Sequence, residues 1–454
     1  MSLDPQARAP DPLTTLEMCR RRRENLIALM QQHGGGIAVI PTAPEQSRSR
    51  DSHYPYRANS YFHYLCAFPE PEAVLLLIAG KDAQTQTQTL LFCRDKDVDR
   101  EIWEGFRYGP EAVPGQFGVD AALSITQFDA KLLELLADQP ALWYALGYDA
   151  AFDARISSAL NGVRAQTRSG RRAPARIHDV RVAIDAMRLY KDARELALMR
   201  RAASISAAAH RRAMRATVPG KFEYQIEAEL LCEFRASGAQ APAYSSIVAG
   251  GANACILHYV DNSRELMAGE LLLIDAGCEL DGYASDITRS FPVSGHFSGP
   301  QADIYAVVLE AQSAAIAGIG PGADFQEVHL AALRVIVRGL VDLQLLHGSV
   351  DGIIESETYK RFYMHRTSHW LGLDVHDAGE YKLGEQWQAL QPGMVLTVEP
   401  GCYIRAAADI DVRFHDIGVR IEDDALVTAT GCEIISQEAP KTIADIEALM
   451  CDGR

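Results

Sequence analysis

Leu271-Leu272-Leu273-Ile274-Asp275-Ala276-Gly277, followed beyond Asp281-Gly282 by Tyr283-Ala284-Ser285-Asp286-Ile287-Thr288-Arg289, decides how the second half of this chain folds. The apolar run 271–274 and the β-rich run 287–293 flank a dipeptide favoured in two-residue type I′ turns, so the stretch reads as a hairpin. With that turn at its tip, Asp275 faces Thr288 and Asp286 lies one diagonal step away on the same face. Diagonal neighbours are roughly 7–8 Å apart, which lets both side chains reach a pair of metal ions about 3.5–4 Å apart. Carboxylates set inside apolar strands need a partner or a cation.

The remainder of the composition narrows the class. At 454 residues and 49.8 kDa the chain has length for two or three domains, each with a full core. Its 48% hydrophobic and 23% charged residues are those of an ordinary globular protein. No run approaches the roughly 18 consecutive apolar residues of a membrane span. The early basic run Arg20-Arg21-Arg22-Arg23 falls within an amphipathic helical pattern rather than a signal peptide, and a cytoplasmic location is expected. Nine cysteines without CxxC pairs form neither a disulfide framework nor a thiolate zinc site, and they read as reduced and mostly buried. A formal charge of −16 excludes nucleic acid as a natural partner and favours a small neutral or cationic ligand.

Along the chain, residues 15–33 have helical periodicity, and 37–40, 73–78 and 89–92 read as short buried strands. The alternation predicts an α/β domain of about 170 residues. The polar, basic stretch Thr167-Arg168-Ser169-Gly170-Arg171-Arg172-Ala173-Pro174 reads as a linker. Residues 190–216 and 222–236 are then strongly helical, short strands begin near Ser246, and helices over about 300–346 precede a second group of strands. Helices grouped around antiparallel strands predict an α+β second domain.

Three further segments carry chemistry. The run from His365 to Asp377 gathers His365, His369 and His376 around an apolar stretch. In Pro392-Gly393-Met394-Val395-Leu396-Thr397-Val398-Glu399-Pro400-Gly401, a turn launches a buried strand that ends on a carboxylate. In Gly418 to Asp424 alternation puts Val419 and Ile421 on one face and Arg420 and Glu422 on the other, a pattern that a surface ion pair would also satisfy. Two Asp, two Glu and one His form a hard donor set that suits Mn(II), Fe(II) or Co(II) better than a structural zinc site. The chemistry implied is hydrolysis by a metal-bound hydroxide, with both ions stabilising the oxyanion.

The order Asp275, Asp286, His369, Glu399, Glu422 resembles the ligand series of the pita-bread metallopeptidases of family M24, and the resemblance runs along the whole chain. His365 to Asp377 is similar to the proline-peptidase signature. Asn253 to Tyr259, Leu271 to Phe291, Val395 to Tyr403, Tyr54 to Phe62 and Pro69 to Ala73 are similar to the bacterial aminopeptidase P branch. That resemblance implies a creatinase-like α/β domain over residues 1–175 and an α+β pita-bread catalytic domain over 176–454. It implies an activity that cleaves between any N-terminal residue and a following proline. It implies two divalent ions, manganese above all, with cobalt, iron or zinc as alternatives. Asp286 and Glu422 would bridge the ions, His369 and Glu399 would complete one site and Asp275 the other, and Glu399 would also serve as general base. His258 and His376 would hold the scissile carbonyl, and protonating them should lower activity. His365, Tyr403 and Arg420 would line the proline pocket. Asp51 would lie near the substrate, and Trp103 would reach a neighbouring subunit of a homodimer or homotetramer. Arg366 takes a place often held by Gly.

The resemblance also names the rivals. An Xaa-Pro dipeptidase shares every ligand but demands a dipeptide, and residues 54–72 and 418–424 favour the aminopeptidase. Metal-free creatinase-like or binding proteins of the fold have lost ligands, whereas all five positions are filled here. The expected partners are peptides with proline second, with no nucleic acid and no membrane.

Overall fold

The computed structural model describes residues 14–81 and 87–452. The described residues form two compact units, divided between Met187 and Arg188.

In the first unit, helices α1 (Thr15–Gln32), α2 (Ser60–Cys66), α3 (Val98–Glu104), α4 (Gly109–Phe117), α5 (Phe128–Leu136), α6 (Ala150–Ala165) and α7 (Val180–Arg188) accompany a six-stranded sheet. Its strands are β1 (Gly36–Pro41), β2 (Val74–Ala79), β3 (Gln88–Cys93), β4 (Ala121–Ser124), β5 (Ala141–Trp143) and β6 (Arg176–His178), in the order β4-β3-β2-β1-β5-β6. The three strands read from the sequence are its centre, buried as expected for apolar runs covered on both faces. The basic run at 20–23 is divided, with Arg20 and Arg21 exposed. Arg22 and Arg23 are buried, and Arg23 is satisfied by the carbonyls of Leu65 at 2.8 Å and Gly118 at 2.6 Å.

The stretch 167–174 does not separate domains. Asp138 accepts from the Arg172 N–H and the Arg171 guanidinium, and its own N–H donates to the Arg172 carbonyl at 2.7 Å. The chain is thereby returned to the sheet, where β6 pairs parallel with β5. Residues 176–187, expected in the second domain, thus belong to the first unit. A Gly/Pro-rich basic segment looks the same in sequence whether it joins domains or leads into an edge strand.

The second unit is α+β, and all its strand pairs among the described residues are antiparallel. Helices α8 (Ala193–Ala216) and α9 (Glu223–Ala236) lead to β7 (Ala241–Pro242), β8 (Ile247–Gly250), β9 (Leu271–Asp275), β10 (Cys278–Leu280), β11 (Tyr283–Ala284) and β12 (Thr288–Pro292). Helices α10 (Gly299–Ala317), α11 (Phe325–Asp342) and α12 (Val350–Glu355) follow. Then come β13 (Lys382–Leu383), β14 (Gln386–Trp387), β15 (Val395–Val398), β16 (Gly401–Ile404), β17 (Ile417–Arg420), β18 (Asp423–Val427), β19 (Cys432–Ile434) and α13 (Ile443–Cys451). A reciprocal cap starts α8: Asp192 accepts from the Glu195 N–H and Glu195 from the Asp192 N–H, both at 2.9 Å.

The hairpin has the expected register, with Thr288 opposite Asp275 and Leu280 opposite Tyr283. Its turn residues Asp281 and Gly282 have φ of 49° and 84°, the two left-handed positions of a type I′ turn. Gly277 is required for another reason: a Cβ there would lie 1.7 Å from the Ser285 carbonyl oxygen. Leu271, Leu272, Leu273 and Ile274 are all buried, each contributing about 1.5–3 kcal/mol of apolar burial, so the strand cannot slip by one residue without exposing part of this row. Among the described residues, no helix is long and apolar enough to cross a membrane. Six of the nine cysteines are buried, and none is joined in a disulfide.

Candidate active site

The second unit holds a cavity of about 860 Å³ whose lining includes Asp275, Asp286, His369, Glu399 and Glu422 together with His258, His365, His376 and Arg420. Four of the five ligand-type residues are delivered by an apolar strand or its flank. Asp275 closes β9, Asp286 precedes β12, Glu399 follows β15, and Glu422 sits between β17 and β18. His369 enters from an irregular segment pinned to β15, where its N–H donates to Thr397 Oγ1 at 3.1 Å and the Thr397 N–H returns to its carbonyl at 3.0 Å.

Donor atoms of Asp286, His369 and Glu422 lie within 4.8 Å of one another. His369 Nε2 is 3.4 Å from Asp286 Oδ2 and 3.6 Å from Glu399 Oε1. Its Nδ1 lies 3.0 Å from the Trp370 carbonyl, which accepts the ring N–H and leaves Nε2 facing the acids, the arrangement usual for an imidazole ligand. Glu422 is buried and accepts from Thr288 Oγ1 at 2.6 Å, while its N–H donates to the Thr288 carbonyl. The alternation at 418–424 therefore does not make a surface ion pair. Arg420 is buried and bonds Asp275 Oδ2 through Nη2 at 2.6 Å, with Nε on Thr288 Oγ1 and Nη1 on Tyr403.

Packing so many acids together has an electrostatic cost. Burial first, and then the Asp275 charge, raises Asp286; burial and Asp286 raise Glu422 well above the ordinary carboxylate range; and burial pushes Glu399 up to about 7. Burial opposes a charge on His369, but Asp286 and Glu399 outweigh it and lift the imidazole to about 9. The protein alone thus draws protons into this cluster to offset its charge, and a hard divalent cation supplies the same compensation with better geometry for carboxylate donors. The donor set fits two such ions.

Tyr244 is the member that sequence reasoning missed. Its hydroxyl lies 2.6 Å from Asp275 Oδ1 and 2.5 Å from Asp286 Oδ1. Burial and those two carboxylates raise the phenol well above its usual value, so it remains a donor between them. No pattern in Ala243-Tyr244-Ser245 announces this. Only the pairing of β8 with β9, which sets Ile247 opposite Asp275, brings it there. Asp424, also missed, accepts from the Asp286 N–H at 3.2 Å.

The histidines divide by environment. The His376 ring lies 4.2 Å from that of His369, and burial together with the His369 charge lowers its pKa. Burial depresses His365 to about 3, and its Nε2 accepts from the Tyr403 hydroxyl at 2.8 Å. Tyr403 itself is only 1% exposed and stands behind the wall rather than in it, because its hydroxyl is taken up by His365 and Arg420. Phe325, Tyr381 and Trp387 form an apolar side of the cavity, and Arg366 lies over the Trp387 ring at 4.8 Å while bonding Gln326. Asp51 and Trp103 belong to the first unit, Asp51 in an exposed loop and Trp103 on α3 with 87% of its surface exposed.

Residues 197–429 match the model of metallopeptidase family M24, and residues 19–143 match the N-terminal domain of aminopeptidase P. The chain belongs to metallopeptidase family M24, with an α/β N-terminal domain ahead of a pita-bread catalytic domain. It is 46% identical to the Xaa-Pro aminopeptidase of Escherichia coli K12 over 96% of this chain and 98% of that protein. Among solved structures, Pseudomonas aeruginosa aminopeptidase PepP superposes with a TM-score of 0.94 at 48% identity, covering 97% of this chain and 99% of that one. Zinc-substituted E. coli aminopeptidase P in complex with product superposes with a TM-score of 0.94 at 44% identity, covering 98% of this chain and all of that one.

Proposed function

We infer that this chain is an Xaa-Pro aminopeptidase, a hydrolase that releases the N-terminal residue from peptides with proline in second place. The convergence of Asp275, Asp286, His369, Glu399 and Glu422 on one cavity, walled by three histidines, carries that reading. Full-length similarity to Xaa-Pro aminopeptidases supports it over a dipeptidase or a metal-free binding protein of the same fold.

Asp286 and Glu422 would be shared between two divalent ions, with His369 and Glu399 on one and Asp275 on the other. When bound, the ions supply an activated water and positive charge for the developing oxyanion. Glu399 is the general base, held near neutrality by burial before any cation binds and facing the cavity where water enters. His258 and His376 orient the scissile carbonyl from the wall. His365 and Arg420, backed by Tyr403, shape the proline side. The peptide's α-amine is drawn to the acidic cluster, which confines cleavage to the first bond. An Xaa-Pro amide lacks the N–H that strand-type recognition requires, so anchoring by the amine replaces it.

Manganese is the proposed ion, a cytoplasmic setting the proposed location, and peptides the proposed partners. Exposed Val98, Ile102, Trp103 and Phe106 give the first unit an apolar surface that supports self-association as a homodimer or homotetramer. Asp51 is proposed as a substrate-side residue. The deciding experiment is release of the N-terminal residue from an Xaa-Pro-Yaa tripeptide by chelator-treated protein, before and after Mn(II) is restored, beside the matching Xaa-Pro dipeptide. Metal-restored tripeptide cleavage is expected; cleavage of the dipeptide alone would make the protein a dipeptidase.

A further inference from the structure

His258 reaches the cavity from a segment that has almost no regular structure. Between the 3₁₀ turn at Gly251–Cys255 and the strand that begins at Leu271, residues 256–263 form neither helix nor strand, and His258 itself is exposed. A catalytic imidazole on such a loop would sample many positions unless something holds the loop, since precise placement is what proximity catalysis depends on.

Glu223, the first residue of α9, is that hold. It is completely buried, and its two carboxylate oxygens accept four hydrogen bonds, one from within the loop and three from the residues that flank it. Oε1 takes the Gly250 N–H at 2.8 Å and Asn253 Nδ2 at 3.0 Å. Oε2 takes the Arg264 N–H at 2.8 Å and the hydroxyl of Tyr259, the residue after His258, at 2.7 Å. One carboxylate therefore pins the loop where it leaves β8, where it returns, and beside its functional residue. Arg264 closes the same ring from above, with Nη1 on the Gly250 carbonyl at 2.9 Å and a paired bond to Glu270. Gly251, at φ 54°, makes the bend that this closure needs. No atom of Glu223 lines the cavity.

We propose that Glu223 is a positioning residue for His258, acting on turnover through the loop and touching neither substrate nor metal ligands. This inference rests on the reading that His258 acts on the bound peptide. The test is a double-mutant cycle on Mn(II)-loaded full-length protein with an Xaa-Pro-Yaa tripeptide. E223Q should lower kcat/KM by about tenfold to a hundredfold, with Mn(II) stoichiometry and affinity unchanged by calorimetry. In an H258A background the same substitution should cause almost no further loss. Y259F, which removes one of the four bonds, should give a smaller loss that also vanishes in H258A, and it replaces E223Q in the cycle if that variant fails to fold. Equal losses in both backgrounds, or none in the wild type, would overturn the proposal. Full activity of H258A would overturn it at its premise, by showing that His258 does no work.

Discussion

Arg420 Nη2 lies 2.6 Å from Asp275 Oδ2, so a buried guanidinium already holds one oxygen of a proposed metal ligand. Removing one partner of a buried pair typically costs about 3–5 kcal/mol because the other charge is left uncompensated. R420A should therefore melt well below wild type when metal-free. Mn(II) should recover more stability for the variant than for the wild type, since the freed Asp275 oxygen gains a cation. Thermal melts with and without metal would check this; equal recovery in both proteins would contradict it.

Tyr244 offers a finer perturbation. Y244F deletes one oxygen that spans Asp275 and Asp286 and leaves the packing of the ring intact. Metal affinity should fall by about tenfold to a hundredfold, the usual effect of losing a group that orients ligands, while the melting temperature of the metal-free protein changes little. Isothermal titration with Mn(II) is the measurement.

Metal loading should also release protons. Glu399 titrates near 7 without a cation, and Asp286 and Glu422 are raised as well, so ions entering below neutrality must displace protons already present. Calorimetric titration at pH 6 in buffers of different ionisation enthalpy should report net release, and E399Q should release about one proton fewer. Affinity should weaken as pH drops through 7.

Acid stability gives a separate test. Burial depresses His210 to about 4, with its Nε2 against the Ala276 carbonyl at 3.0 Å. The unfolded chain, with an ordinary imidazole near 6.5, binds more protons than the folded one between those values. This contribution is present in full above pH 6.5 and is lost as pH falls toward 4. For the metal-free protein, H210Q should shrink the stability difference between pH 7 and pH 4.5 by about 2 kcal/mol, read from urea unfolding. An unchanged difference would mean that His210 does not stay neutral in the fold.

The hairpin was readable because two periodicities agreed there: an apolar strand pattern and a dipeptide whose φ angles allow one tight turn. Asp275 and Glu399 stood out because each ends a run of buried aliphatics, and the His365 to Asp377 segment because of its density of imidazoles. The stretch 167–174 reads as a linker because Asp138, which draws it back to the sheet, lies far away in sequence. Tyr244, Asp424 and Glu223 are illegible for a related reason. Each is one polar residue in unremarkable surroundings, and its importance arises from strand pairing or helix placement that brings a distant acid or loop to it. The motif around Tyr403 gives its neighbours His365 and Arg420 but not its depth.

The Asp281-Gly282 turn lies outside the cavity, with Asp281 exposed. Exposed loop tips ordinarily accept inserted residues. Here a single added residue that passed into the strands as a register shift would turn Asp286 away from Asp275. The turn is therefore a ruler for the acid pair, and it should tolerate changes of residue type that keep both left-handed angles while rejecting changes that slip the register by an odd number of residues.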